Sequence, residues 1–208
     1  MLKNPTPLNR GDRGSAAEQS ASFATSLQYN VQVRTLAVFL ASICACAQTP
    51  CPCDLKIPET LNARQCSLTK VTEEQPPDIR VFFLPDANPK KPNRLLALPR
   101  EQKSGMQRFA DLSPETRLEL WTKAIDMAKQ KWGDRWGIAY NGDNVRTQCH
   151  VHIHIGRLIE GVEAGEFLLV DGPAQIPVPG PAGYWIHPVN GKLHVHTGEQ
   201  ICETVLLR

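Results

Sequence analysis

The sequence predicts an α+β fold, an antiparallel β-meander covered by one main helix. Three observations predict it. Residues 146–156, Arg-Thr-Gln-Cys-His-Val-His-Ile-His-Ile-Gly, alternate imidazole with apolar side chains at the two-residue period of a strand. Residues 113–132 open on Ser-Pro-Glu and then place Leu118, Trp121, Ile125, Ala128 and Trp132 at helical spacing. Short apolar runs on either side of that helix are separated by turn-forming clusters, which predicts strands joined by tight connections.

Taken in order, the chain begins with polar residues 1–33, which lack hydrophobic periodicity and predict a disordered extension. Residues 36–47 follow as a short apolar run behind Arg34, ending Ala45-Cys46-Ala47 in a small-x-small cleavage signature. The run is shorter than the roughly 20 residues that span a bilayer. It predicts a secretory signal with the natural start near Val31 or Val33, or a lipoprotein site that leaves Cys46 lipidated. The expected location is therefore exported, periplasmic or membrane-associated. Lys3, Arg10, Arg13 and Arg34 outnumber Asp12 and Glu18 in this leader and account for the whole net charge of +2. A body of balanced charge has no field to hold a polyanion, so nucleic acid is not an expected partner.

Cys51, Cys53, Cys66, Cys149 and Cys202 would remain after cleavage, an odd number with one left over. Cys51-Pro52-Cys53 is too tight to close on itself, so the preferred bridge joins Cys66 to Cys51 or Cys53; the alternative is reduced, buried thiols. The resulting organisation is an extension with a signal over 1–47, a Cys/Pro linker over 48–63, a main domain over 64–160, and a Pro/Gly-rich wrap with a hairpin over 161–208 packed on the same domain.

Within the body, residues 78–85 read as a strand stopped by Pro85, residues 86–93 as a turn, and residues 94–99 as a second strand. Ser113 is placed to cap the helix and Pro114 to start it. Residues 136–140 form a third strand, and Asn141-Gly142-Asp143-Asn144 turns the chain into the histidine strand. Residues 172–191 are too rich in Pro and Gly for regular interior structure and predict a loop. Asn190-Gly191 closes a hairpin into residues 192–197, where His194 and His196 share a face. Residues 167–170 and 184–186 are apolar enough to flank a lipid.

Strand alternation puts His150, His152 and His154 on one face and Val151, Ile153 and Ile155 on the other. Imidazole, with an ordinary pKa near ~6.5, serves as nucleophile, proton carrier or metal ligand when neutral. The pattern His-φ-His-φ-His-φ-Gly at 150–156 resembles the histidine-triad (HIT-like) superfamily of nucleotide hydrolases and transferases. Residues 86–99, the Ser113 helix and Asn141 fall in matching order, so the resemblance spans roughly residues 64–158. The run Arg146-Thr147-Gln148-x-His150-φ-His152-Ile153-His154-Ile155 looks most like the CDP-diacylglycerol diphosphatases.

The resemblance implies a HIT-like fold and cleavage of CDP-diacylglycerol to CMP and phosphatidate without a cofactor or metal. His152 would be the nucleophile, His150 would orient it through a hydrogen bond, and His154 would donate to a phosphate or leaving-group oxygen. Asn141, Thr147 and Gln148 would bind phosphate oxygens. The sequence departs from the family at Arg94, where many members carry a further histidine; an arginine there is expected to grip a diphosphate. A membrane surface and a homodimer are compatible partners beside the nucleotide or liponucleotide. The competing expectations are a HIT-type hydrolase of a soluble nucleotide and an exported metal-binding protein, in which His187, His194, His196 or cysteines would complete a Zn or Cu(II) site with the triad histidines.

Overall fold

A computed structural model describes residues 50–162 and 165–208 of the chain. The extension and signal expected over residues 1–47 lie outside the described residues. The α+β expectation is met: seven antiparallel strands form one sheet, and one long helix covers a face of it. The strands are β1 (Val81–Pro85), β2 (Leu95–Pro99), β3 (Trp136–Tyr140), β4 (Ile153–Arg157), β5 (Phe167–Val170), β6 (Gly183–Val189) and β7 (Lys192–Glu199). Their spatial order is β1-β2-β4-β3-β6-β7-β5. This is not a sequential meander, because the β3–β4 hairpin enters with β4 against β2 and β3 against β6.

The long helix, α2 (Pro114–Trp132), starts where the sequence places it, with the Ser113 hydroxyl accepting the Thr116 amide at 3.3 Å. It ends at Gly133, whose φ of 57° is a conformation that glycine adopts at little cost. Leu120, Trp121, Ala124, Ile125 and Ala128 are buried against Ile138, Ile153, Ile155, Ile186 and Val195 of the sheet. Leu118 differs from expectation and is 44% exposed, because it lies beyond the edge of the buried arc.

The opposite face of the sheet is covered in two patches. The short helix α1 (Ser67–Glu73) lies over β1 and β2, where Leu68 and Val71 meet Phe82, Leu96 and Leu98. The C-terminal turn at Cys202–Val205 lies over β3 and β6, packing on Ala139 and Trp185. Between these two covers β4 is left facing a cleft. Gly183 permits the close fit at the C-terminal patch: a Cβ there would stand 2.4 Å from the Tyr140 carbonyl and 2.6 Å from Cys202 Sγ.

The irregular loop expected over residues 172–191 ends at Ala182, and β6 then runs inside the sheet between β3 and β7. Pro188 is tolerated because β6 has already passed the end of β3, whose pairing stops at Ile186, so no ladder bond is lost on that side. Asn190 and Gly191 close the β6–β7 turn as expected, with φ of 51° and 78°. Residues expected as a terminal wrap thus supply three of the seven strands.

Two disulfides, Cys53–Cys66 and Cys51–Cys149, tie the segment expected to be a linker onto the body. The first lies within the expected pairing. The second is a pairing the sequence left open, and among the described residues Cys202 is the buried free thiol.

Candidate active site

The histidine run enters the sheet later than the sequence suggests. Only His154 lies on β4; His150 ends a bend over residues 147–150 and His152 follows it, on a segment that carries no strand pairing. The alternation nevertheless persists, since Val151, Ile153 and Ile155 all reach the core under α2. What fixes the unpaired segment is a set of side-chain clamps. The Cys51 bridge holds Cys149, whose amide donates to the Gln65 carbonyl at 2.9 Å. Gln107, itself buried, donates its amide to the Cys149 carbonyl and accepts the Val151 amide. Arg146, buried over the Tyr140 ring, donates to the Gln107 carbonyl at 2.6 Å, the Asp143 carboxylate at 2.9 Å and the His150 carbonyl at 3.3 Å.

These contacts fix the tautomers of two histidines. A carbonyl oxygen only accepts, so the 2.9 Å contact from His152 Nδ1 to the His150 carbonyl puts the proton on Nδ1 and the lone pair on Nε2. By the same logic His150 donates from Nε2 to the Pro99 carbonyl at 2.9 Å. His150 therefore orients His152 through its backbone, while its own ring anchors the segment to the end of β2. Burial, and next the charge of neighbouring His154, hold His152 well below the ordinary 6.5 of imidazole. Burial likewise pushes His150 down to about 4, against the opposing effect of the Pro99 hydrogen bond. Both rings are neutral at neutral pH.

The depressed values carry a stability consequence. Between the folded and unfolded pKa the unfolded chain binds more protons, so stability is fully present above about 6.5 and declines as pH falls towards about 4. For His150 alone the loss approaches about 3 kcal/mol, at ~1.4 kcal/mol per pKa unit. Urea unfolding midpoints are expected to drop between pH 6.5 and 4.5, and more weakly in a His150→Asn variant; identical pH profiles for the two proteins would contradict the assignment.

His154 completes the site differently. Its ring stands edge-on to His152 with centroids 5.0 Å apart. Its Nδ1 faces two carboxylates, Glu203 at 3.6 Å and Asp86 at 3.8 Å, while Asn141 Nδ2 approaches Nε2 at 3.5 Å. The Asn141 oxygen accepts the Glu203 amide at 3.0 Å, which fixes the orientation of its carboxamide. Burial opposes ionisation of Asp86, but the neighbouring His154 ring, the hydrogen bond from the Asn88 amide and the charge of Lys91 outweigh it and lower the carboxyl to about 2. Glu203, paired with Lys91 and with Arg94 at 2.9 Å, is also held below its ordinary value despite burial.

His152, His154, Asn141, Thr147 and Gln148 line one cleft of about 510 Å³, together with Asp86, Lys91, Glu203 and Arg64. Larger depressions elsewhere, of about 610 and 740 Å³, contain no histidine. Thr147 is exposed at the cleft. The Gln148 carboxamide is engaged at the start of α1, accepting from Ser67 and Leu68 and donating to the Arg64 carbonyl, so its first task is to hold that wall. Arg94 departs from the expectation of a phosphate grip. It is 3% exposed and donates to Glu203 and to the Leu206 and Leu207 carbonyls, binding the C-terminal segment behind the cleft.

Comparison with protein-family models, curated proteins and solved structures finds no match. The site is thus described by its own geometry. Asp86, Lys91, Glu203 and Arg146 are the members that sequence reasoning missed. Asp86 and Lys91 sit in a turn that reads as ordinary loop chemistry, and Glu203 reaches His154 only through the fold.

Proposed function

We propose that the chain is a phosphoanhydride hydrolase that cleaves CDP-diacylglycerol to CMP and phosphatidate through a nucleotidyl-histidine intermediate. The observation that carries this reading is the His152 tautomer: Nδ1–H is committed to the His150 carbonyl, leaving a neutral ring whose lone pair is on Nε2, in a residue that lines the cleft. Nε2 attacks the phosphorus attached to the nucleoside. The new N–P bond forms as the bridging P–O bond breaks and phosphatidate leaves. Water, passing one proton back to His154, then cleaves the N–P bond, releasing CMP and restoring the neutral His152 ring.

As the Asn141 Nδ2 donor turns from His154 Nε2 to a phosphate oxygen, His154 carries a second proton on Nε2 and donates it to the leaving oxygen; Asp86 and Glu203 at its Nδ1 offset the charge of that form. Asn141 and Thr147 offer donors to the phosphate oxygens, and Lys91 and Arg64 line the cleft with cations. The sequence motif that resembles the CDP-diacylglycerol diphosphatases supports the substrate. The two disulfides support an oxidising compartment, where a liponucleotide is at hand in the membrane. Among the described residues no helix is long and apolar enough to cross a membrane.

The test is incubation of purified protein with CDP-diacylglycerol in mixed micelles, with CMP release as readout and soluble dinucleotides and nucleoside phosphoramidates as competitors. CMP release at a kcat/KM at least tenfold above that for the soluble substrates is expected. Turnover confined to soluble nucleotides would replace the liponucleotide, and no turnover of either would remove the hydrolase reading.

A further inference from the structure

Three histidines that the proposed chemistry does not use meet on the same sheet face as His154. Cross-strand pairing aligns His154, Ala139, Trp185, His196 and Phe167 in one row across β4, β3, β6, β7 and β5. His196 is therefore three strands from His154, about 14 Å at ~4.8 Å per strand. His187 lies directly opposite His194 in the β6–β7 pair, two residues further along the same face.

All three side chains are buried, and one ring nitrogen from each lies within 4.8 Å of the other two. The Nε2 atoms of His187 and His196 are 3.2 Å apart. That separation is close to the edge of a tetrahedron with Zn–N bonds of about 2.0–2.1 Å, roughly 3.3 Å. The rings are held in place by aromatic partners. His196 lies flat on Trp185 with centroids 3.6 Å apart, and His194 lies on Phe167 at 4.2 Å. Trp185 is in turn fixed by donating to Glu199 at 3.1 Å. A hydrogen bond between His187 and His196 would need only two imidazoles; the third, His194, brings a ring nitrogen within 4.8 Å of both. Orientation imposed by surrounding groups is how a metal site is prepared before the ion arrives.

We propose that His187, His194 and His196 bind one divalent transition-metal ion of the zinc type through three imidazole nitrogens, with a fourth position left for water or an added ligand. The site clips β6 to β7 and is separate from the hydrolytic cleft. Asp86, His154 and Glu203 also cluster closely enough to hold an ion, but Lys91 and Arg94 already occupy the Glu203 carboxylate, which disfavours a cation there.

The test uses the full chain with both disulfides intact, stripped by chelator and titrated with Co(II) and then Zn(II). One Co(II) per chain with the visible bands of a tetrahedral site, displaced by one Zn(II), is expected. Stoichiometry should fall to below about 0.1 in His194→Ala and His196→Gln and stay near one in His154→Ala. Side-chain NMR of the unmodified protein provides a reading that no folding defect affects: Zn(II) should shift the imidazole signals of these three histidines and leave His150 and His152 in place. Absence of binding by the folded protein, binding retained in His194→Ala, or binding lost in His154→Ala alone would each overturn the site. None of these results depends on whether CDP-diacylglycerol is hydrolysed.

Discussion

Replacing His152 with alanine is expected to lower kcat for CMP release by about 10⁴–10⁶, equivalent to roughly 5–8 kcal/mol of barrier at ~1.4 kcal/mol per decade. The size follows from losing the bond-forming atom rather than a supporting contact. His152 is the triad member whose tautomer leaves Nε2 as the lone-pair nitrogen at the cleft; His150 spends its Nε2 proton on Pro99, and His154 is flanked by carboxylates suited to a proton donor. The ring is buried in the cleft wall and makes one hydrogen bond to a carbonyl that Arg146 also serves, so its removal leaves a void that opens into the cleft and no orphaned acceptor. Folding should change little, which can be checked by urea titration. Partial rescue of a His152→Gly variant by added imidazole would identify the missing group. Retention of activity within tenfold in His152→Ala would remove covalent catalysis from this residue.

His154 and Glu203 show how far the site was legible. Alternation located the imidazoles and the apolar residues opposite them, because a strand's two-residue period is written in the sequence. It gave side-chain faces but not torsions, and so could not show that His150 supplies a carbonyl, not its ring, to His152. Glu203 arrives from a short C-terminal turn with no periodicity, and nothing local marks it as a neighbour of β4. Arg94 failed as a phosphate ligand for the same reason, since its partners Leu206 and Leu207 are backbone carbonyls brought from the far end of the chain. The helix start at Ser113-Pro114 and the turn at Asn190-Gly191 were legible because each is set by local chemistry. Strand β6 was not, because Pro and Gly density obscured seven residues whose neighbours on both sides supply their pairing.

The Cys51–Cys149 bridge is expected to matter more to catalysis than Cys53–Cys66, although both are buried in one cluster with Leu61. It closes a sequence separation of 98, against 13 for the other. Constraining an unfolded chain over ~100 residues stabilises by up to about 4.7 kcal/mol, and over ~15 residues by about 3 kcal/mol. The two bridges share only the Cys51–Cys53 segment, and Cys53–Cys66 places no constraint on Cys149, so a Cys51→Ala/Cys149→Ala double variant should lose up to about 4.7 kcal/mol. That is a large share of the roughly 5–15 kcal/mol available to a domain. Position adds a second effect. Cys149 immediately precedes His150 on a segment without strand pairing, so freeing it loosens the carbonyl that sets the His152 tautomer. Cys66 instead adjoins α1 and reaches the Cys149 segment only through packing and the hydrogen bond from the Cys149 amide to the Gln65 carbonyl. At a urea concentration where both double variants are more than nine-tenths folded, kcat should therefore fall at least tenfold for Cys51→Ala/Cys149→Ala. It should stay within about threefold for Cys53→Ala/Cys66→Ala. Equal kcat losses in the two folded variants would show that the bridge stabilises the domain without positioning the nucleophile.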